Sequence, residues 1–311
     1  MDISFRSAAR EDIEAIVALV SAKDVADLGE AEADDPFSIR AELEADWRRL
    51  GADVERNAWV ALDGSRIVGY TDVSPVPPRA LVNPNGGVLP SHRRRGIGTR
   101  LLDLAEARAA ELEPRPRGVR TVVPGGTAAT QALLRSRGYE EVSRSWQMTV
   151  DLDEPPPAAQ WPARVSVRRF RPGEDDEIVY RLVRDAFSDN EGYDAEGSTF
   201  EGWTSYMLDR ERDVSLYFLA EDESGMLVGC ALCPWYPDIG WIQQVAVRRD
   251  RRGQGLGMAL LRHAFGELYR RGQRRVGLTV DSWNTTGAKR LYQRAGMRVT
   301  LEHVKLEKQL G

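Results

Sequence analysis

The chain of 311 residues is long enough for two ordinary domains, each with its own hydrophobic core. Hydrophobic residues make up 42% and charged residues 29%, which excludes a disordered chain and predicts a soluble globular protein. The net charge of −5 gives no general attraction to nucleic acid or membrane, and no apolar run approaches the ~20 residues of a membrane span. We therefore expect a small ligand as partner, with neither nucleic acid nor membrane.

The beginning of the chain and its cysteines predict a cytoplasmic location. The segment MDISFRSAAREDIEA lacks the basic and apolar parts of a secretory leader. Cys230 and Cys233 lie in an apolar, strand-like run without nearby histidines, which favours buried thiols over a zinc site. We expect no bound metal.

The predicted elements occur twice, in the same order. The first half predicts, in chain order, a strand at Ser4–Arg6, a helix at about 10–21, strands at Ala58–Leu62, Ile67–Val73 and about 79–89, a helix, a strand at Val119–Val123, a helix and a closing strand. The second half predicts the same series with Ser166–Arg168, about 173–187, Ser215–Glu221, Met226–Cys233, Gly240–Val247 and Arg275–Val280. This mixed order predicts an α+β fold with a mostly antiparallel sheet in each half.

A direct self-match supports a duplication. Val68-Gly69 corresponds to Val228-Gly229, and LLRSRGY before residue 140 corresponds to LYQRAGM before residue 298, both at an offset of about 160 residues. Between the halves lies DLDEPPPAAQWPAR, whose consecutive prolines form a stiff spacer. The predicted domains are 1–150 and 165–311, with a proline-rich linker at 151–164.

Each half also contains a basic, glycine-rich loop that leads into an amphipathic helix. In the second half the loop follows the strand Val245-Ala246-Val247 and reads Arg252-Gly253-Gln254-Gly255-Leu256-Gly257-Met258. The first half has Arg93-Arg94-Arg95-Gly96-Ile97-Gly98-Thr99. Glycines expose backbone amides, and a helix N-terminus favours anions, so the loop predicts a pyrophosphate site; an ordinary turn is the alternative. The spacing fits neither a P-loop nor a dinucleotide-binding loop.

The second-half loop and the downstream segment DSWNTTGAKRLYQRAGM at 281–297 together resemble the GNAT superfamily of acyl-CoA-dependent N-acetyltransferases. The resemblance extends over nearly the whole chain. It implies that acetyl-CoA is the cofactor and that a primary amine of a small molecule attacks the thioester directly. It also implies that activity resides in the second half.

The resemblance assigns roles to single residues. The fourth and fifth strands should separate after Val245, and the pantetheine arm should pair with the backbone of Val245 and Val247. The backbone amide near Val245 would then polarise the thioester carbonyl. Tyr292 would protonate the departing thiolate, Asn284 would hold the arm, and Ala288 stands in family register. A packing role for Tyr292 and a helix-cap role for Asn284 are the alternatives.

The sequence leaves two candidates for the base that accepts the amine proton. Many family members have a glutamate on the fourth strand, where this chain has Gln243 and Gln244. Asp281, or water passing the proton to a backbone carbonyl, could replace it. Asp281 could equally cap the following helix.

The first half departs from the family pattern at its reactive positions. Leu134 stands where Tyr292 stands, Gly126 corresponds to Asn284, and Arg94 replaces the first glycine of the loop. We expect this half to be non-catalytic, either binding acyl-CoA weakly or serving as support.

Other functions stay open on the sequence alone. The chain could be a regulatory acyl-CoA-binding protein without turnover, or an N-acetyltransferase of proteins or peptides. The acidic segment at 188–203 predicts either the lining of an acceptor pocket or a solvated loop. Monomer and homodimer are both compatible with the sequence.

Overall fold

The computed structural model describes residues 2–30, 32–33, 36–50, 54–74, 81–113, 115–188, 198–208, 213–236, 239–282, 284 and 286–310. The first half contains β1 Ile3–Ser7, α1 Ile13–Leu28, α2 Pro36–Leu50, α3 Val54–Asn57, β2 Ala58–Asp63, β3 Arg66–Ser74, β4 Leu81–Val88, α4 Ile97–Glu111, β5 Gly118–Pro124, α5 Ala128–Ser136 and β6 Glu140–Asp151. The second half contains β7 Val165–Arg169, α6 Asp176–Phe187, α7 Phe200–Met207, β8 Tyr217–Asp222, β9 Leu227–Leu232, β10 Gly240–Trp241, β11 Gln244–Val247, α8 Leu256–Arg270, β12 Arg275–Asp281, α9 Ala288–Arg294 and β13 Arg298–Gln309.

These elements form two compact units. Unit 1 comprises Met1–Arg144 and Leu301–Gly311, and its strands follow the order β1-β2-β3-β4-β5-β13. Unit 2 comprises Ser145–Thr300 and contains the antiparallel group β11-β9-β8-β7 together with β6-β12-β10. In both units the strand pairs are mostly antiparallel and helices cover the strands, so the predicted α+β class is confirmed.

The helix after each glycine loop forms because its apolar residues recur at helical spacing. In α8, Leu260, Leu261, Ala264 and Leu268 are fully buried, which places one face of the helix against the strands of unit 2. Burying each leucine stabilises the unit by about 2 kcal/mol. This packing fixes the N-terminus of α8 beside β11.

The predicted domain boundaries differ from the compact units in the closing strands. In unit 2, β12 pairs with Ser145–Asp151 of β6, and in unit 1, β5 pairs with His303–Gln309 of β13. Each exchanged strand buries core side chains in its unit, such as Met148 and Val304, which have no exposed surface. Sequence alternation shows which face of a strand is buried but not which neighbouring strand it joins. The sequence repeat therefore predicts that each closing strand joins the sheet of its own half, whereas in the structure each closing strand joins the other unit.

The single strand predicted at Gly240–Val247 is two strands. β10 pairs in parallel with β12, and the amide of Ile242 still donates to the carbonyl of Gly277 at 2.9 Å. The amide of Gln243 instead donates to the carbonyl of Leu232 in β9 at 2.9 Å. The separation therefore begins at Gln243, and the predicted position after Val245 is wrong.

Three helices are absent from the prediction, α2, α3 and α7, and α1 ends at Leu28 rather than near residue 21. α2 carried a detectable signal, because Ile39, Leu43 and Trp47 recur every four residues and are buried. Among the described helices, none combines the length and apolarity needed to cross a bilayer.

Candidate active site

The separation of β11 from β12 opens a small cavity in unit 2, of about 60 Å³. Its lining consists of Phe187, Ile242, Gln243, Val245, Leu278, Thr279, Val280, Asp281, Asn284 and Tyr292. Four predicted site residues thus lie around one cavity: the three assigned to catalysis, Val245, Asp281 and Tyr292, and the predicted arm-binding Asn284.

The backbone of β11 presents one open edge towards this gap. The amide of Arg248 donates to the carbonyl of Val228 in β9 at 2.9 Å, and the register continues through Ala246 opposite Cys230. Because backbone groups alternate in direction along a strand, the amides of Val245 and Val247 point away from β9. Within the described residues no strand pairs with that edge. An extended ligand carrying amide groups could pair there.

Tyr292 projects from α9 into the same gap. The residue is only 8% exposed, and its hydroxyl makes no hydrogen bond to any described residue. Burial raises the pKa of Tyr292 to about 12, so the hydroxyl keeps its proton at neutral and mildly alkaline pH. A protonated hydroxyl aimed into a closed gap can donate to a group that forms there.

Asn284 stabilises the turn before α9. Its Oδ1 accepts from the amide of Thr286 at 3.1 Å and from the amide of Ala288 at 3.4 Å. This is the capping role that the sequence left open. Contact with a cofactor arm stays a prediction, and only the Nδ2 group is suited to it.

The glycine loop of unit 2 has the geometry of an anion site. Gly253 and Gly255 have φ of 76° and 86°, a region that favours glycine. The first backbone bond of the helix is donated by Ala259 to Gly255, and the amides from Gly253 to Met258 have no acceptor among the described residues. Unsatisfied amides at a helix N-terminus attract phosphate oxygens.

Two side chains of the loop itself hold it in place. Arg252 donates to the carbonyls of Val247 at 3.3 Å and Ala186 at 2.9 Å. Gln254 donates to the carbonyl of Asp250 at 3.0 Å. These hydrogen bonds fix the glycine loop of unit 2 to the end of β11 and to α6.

The loop of unit 1 has the same backbone course. Arg94 adopts φ of 65° and Gly96 adopts 79°, matching the two glycines of unit 2. The amides from Arg94 to Thr99 likewise have no acceptor within the part of the chain that the structure describes. Arg93 pairs with Asp27 at 2.8 Å. The anion-binding geometry is thus retained in both units, whereas the buried Leu134 offers no proton.

Aromatic side chains complete the site, and one of them, Phe187, was missed by sequence reasoning. Trp203 donates its indole N–H to Oε1 of Gln244 at 3.2 Å, and Trp241 donates to Oε1 of Gln243 at 3.0 Å. Both glutamine side chains are therefore oriented by indoles. Phe187, at the end of α6, contributes an apolar wall.

Three further side chains of unit 2, those of His263, Cys230 and Cys233, lie outside the cavity. His263 packs edge-on against Phe218, with ring centroids 4.6 Å apart, and burial lowers its pKa. Cys230 and Cys233 are free and buried, as expected. Most of the acidic segment 188–203 lies outside the described residues. No cluster of three metal-binding side chains occurs in the described part of the chain.

A glycine loop leading into a helix occurs in both units, and among the described residues β4 pairs with β5 only at Leu81 and Val82, as β10 pairs with β12 only at its start; this arrangement defines a tandem acyltransferase fold. The sequence pattern described as "Acetyltransferase (GNAT) family" matches residues 177–297, and that of an "Acetyltransferase (GNAT) domain" matches residues 55–141. A mycothiol acetyltransferase of Thermobispora bispora is 32% identical over 299 residues, covering 92% of both chains. One from Salinispora arenicola is 32% identical over 291 residues, covering 90% of this chain and 89% of its own.

Solved structures agree with these matches. A GCN5-related N-acetyltransferase from Sphaerobacter thermophilus superposes with a TM-score of 0.83 at 33% identity, covering 99% of this chain and 95% of its own. A tandem GNAT protein from the clavulanic acid biosynthesis pathway, at 16% identity, shares the fold with a TM-score of 0.73, covering 100% of this chain and 99% of its own. The chain belongs to the GNAT family and is an N-acetyltransferase with two tandem GNAT domains.

Proposed function

We propose that this protein transfers the acetyl group of acetyl-CoA to the primary amine of a small molecule, and that the reaction takes place in unit 2. The observation that carries this proposal is the meeting of Tyr292 and the open edge of β11 at one cavity, close to the glycine loop. Unit 1 has Leu134 in place of the tyrosine and is proposed to be non-catalytic.

The residues present fit coenzyme A. Its pyrophosphate would be held by the free amides from Gly253 to Met258, and the amides of its pantetheine arm would pair with Val245 and Val247. When bound, acetyl-CoA supplies the activated acyl group. The amide of Val245 is suited to stabilise negative charge on the thioester oxygen.

Tyr292 is suited to protonate the leaving thiolate. A tyrosine with a pKa of about 12 is a weak acid, whereas a thiol in water has a pKa of about 8.5. Desolvation in the closed gap would also make a departing thiolate more basic than in water, which favours proton transfer from Tyr292.

Direct transfer to the amine is supported by the composition of the cavity. Among the described residues that line it, none is a cysteine or serine that could carry an acyl group. Gln243 and Gln244 cannot accept a proton, so Asp281, at the end of β12, is proposed as the base. The amine would attack in a ternary complex, with Asp281 accepting its proton directly or through water.

The names of the relatives suggest desacetyl mycothiol as the first acceptor to test. We expect the protein and acetyl-CoA to convert it to a product one acetyl group heavier, by mass spectrometry, with stoichiometric release of CoA thiol. Fragmentation should place the acetyl group on nitrogen. Absence of transfer to this acceptor and to a panel of simple amines, despite acetyl-CoA binding, would contradict the proposed function.

Replacing Gly255 by valine should weaken acetyl-CoA binding in unit 2 by at least about tenfold. A branched residue is strained at φ of 86°, and its side chain would lie between the loop amides and a phosphate. Calorimetric titration with acetyl-CoA measures the loss.

Two matched variants serve as controls. Gly272→Val imposes comparable strain, at φ of 93°, beyond the opposite end of α8 and should leave affinity unchanged. Gly96→Val alters the corresponding loop of unit 1 and should leave turnover intact. Equal affinity of the Gly255→Val variant and the wild type for acetyl-CoA would show that the loop does not bind the cofactor.

A further inference from the structure

A second cavity, far larger than the one in unit 2, lies in unit 1, in the half predicted to be inactive. Its volume is about 840 Å³. Its walls come from α1, α2, β3, β4, the unit 1 glycine loop, α4, β5 and α5. A cavity of this size accommodates an organic molecule rather than a few waters. The acetyl-transfer reaction proposed for unit 2 makes no use of it.

A buried polar chain forms part of the cavity wall. The indole of Trp47 donates to the hydroxyl of Tyr70 at 2.9 Å, and that hydroxyl donates to Oδ2 of Asp72 at 2.5 Å. Asn85 donates to Oδ1 of Asp72 at 3.3 Å. Asp72 is only 1% exposed. The donors orient a carboxyl group at the cavity surface.

The repeat shows that the fold does not require this polar chain. Val68-Gly69 corresponds to Val228-Gly229, so Tyr70 corresponds to Cys230 and Asp72 to Leu232. Both second-half residues are fully buried at the same positions of an equivalent strand. An apolar side chain thus satisfies the packing there, whereas a buried carboxyl group is costly. Its presence in unit 1 indicates a role other than closing the core.

The charges around Asp72 indicate the sign of its ligand. Asp46 on α2 and Asp72 itself line the cavity, while on α1 Lys23 is ion-paired with Asp24. Burial and the charge of Asp46 raise the pKa of Asp72 to about 7. The arginines that line the cavity, Arg93 and Arg94, belong to the glycine loop. A cation beside Asp72 would restore its charge and replace the missing counter-ion.

We propose that the unit 1 cavity is a second ligand site, which binds a small primary amine as its ammonium ion with Asp72 as the counter-ion. Tyr70 acts as a positioning residue that holds the carboxylate towards the cavity. An ammonium group donates three hydrogen bonds and suits a carboxylate that still has free lone pairs. This site is separate from the acetyl-transfer site proposed for unit 2 and does not depend on it.

The test uses the full chain and glucosamine, with N-acetylglucosamine as a probe of similar shape without the charge. We expect saturable calorimetric binding of glucosamine and none of N-acetylglucosamine. Asp72→Asn should weaken glucosamine binding by at least about tenfold, since one partner of a buried charge pair is lost. Asp72→Leu introduces leucine, the residue at the corresponding position 232 of the second half, and should abolish glucosamine binding. Tyr70→Phe should give an intermediate loss.

Hydrogen exchange locates the bound amine. Protection by glucosamine should appear in peptides from α2 and β3, and it should disappear in both Asp72 variants. Circular dichroism and acetyl transfer in unit 2 should be unchanged in those variants, which would show that they fold. Absence of saturable binding, equal affinity in the wild type and Asp72→Asn, or protection confined to unit 2 would each overturn the proposal.

Discussion

Replacing Tyr292 by phenylalanine is expected to lower turnover about 100-fold or more, within the range for loss of a general acid. The hydroxyl is buried at the cavity, and without it the thiolate must leave unprotonated or wait for water. The ring remains, so the packing of α9 and the affinity for acetyl-CoA should change little. Steady-state kinetics with the acceptor varied, together with calorimetric binding of acetyl-CoA, separate the two effects.

A second buried tyrosine provides the matched control. The hydroxyl of Tyr217 donates to the carbonyl of Met207 at 2.9 Å in the same unit, away from the cavity. Tyr217→Phe should reduce stability by about 1 kcal/mol while leaving turnover unchanged. Equal turnover of Tyr292→Phe and wild type would assign Tyr292 to packing. A loss matched by Tyr217→Phe would show that the effect is a general one of stability.

The glycine loop and its helix could be predicted from sequence because their signals are local. Positive φ favours glycine at Gly253 and Gly255, and the apolar spacing of α8 identifies the buried face of the helix. The positions of Tyr292 and Asn284 followed from a second motif at a family-typical distance. The structure places both residues around one cavity with Val245, and their roles there stay predictions.

The strand break at Gln243 could not be predicted, because it depends on partner choice. The run from Gly240 to Val247 is uniformly compatible with an extended strand. In the structure its pairing with β12 ends after the Ile242 amide, whereas its pairing with β9 continues to Val247. The exchange of β6 and β13 has the same origin, since partner choice is a long-range property.

Asp72 was invisible in the sequence for a different reason. In RIVGYTDVS an aspartate between polar and apolar neighbours reads as a solvent-facing position of a strand. In unit 1 both faces of β3 are covered, so the side chain is buried instead. Only after comparison with the buried Leu232 does the substitution stand out as a difference between the two units.

Changing Asp72 to asparagine is expected to remove a loss of stability in unit 1 between about pH 4 and pH 7. Burial and the charge of Asp46 raise the pKa of Asp72 from 3.8 to about 7, although the hydrogen bond from Tyr70 acts in the opposite direction. Between these values the unfolded chain has released the proton that the folded unit retains, so stability falls as pH rises and levels off above about pH 7. This difference between the two pKa values of Asp72 corresponds to about 4 kcal/mol in the free energy of unfolding. Asparagine does not titrate, so the variant should lack this fall.

Urea unfolding at several pH values, followed by exchange protection in peptides from β2 and β3, measures the stability of unit 1. Ion-paired carboxylates such as Asp12, whose pKa is lowered by Arg6, contribute the opposite trend, a loss of stability as pH falls below about 4. They are present in both proteins, so the difference between wild type and variant isolates Asp72. The wild type should lose stability relative to the variant as pH rises, and parallel profiles would show that the carboxyl group is already charged at pH 4. Glucosamine should reduce the fall in the wild type alone, because binding restores a counter-ion to the charged form.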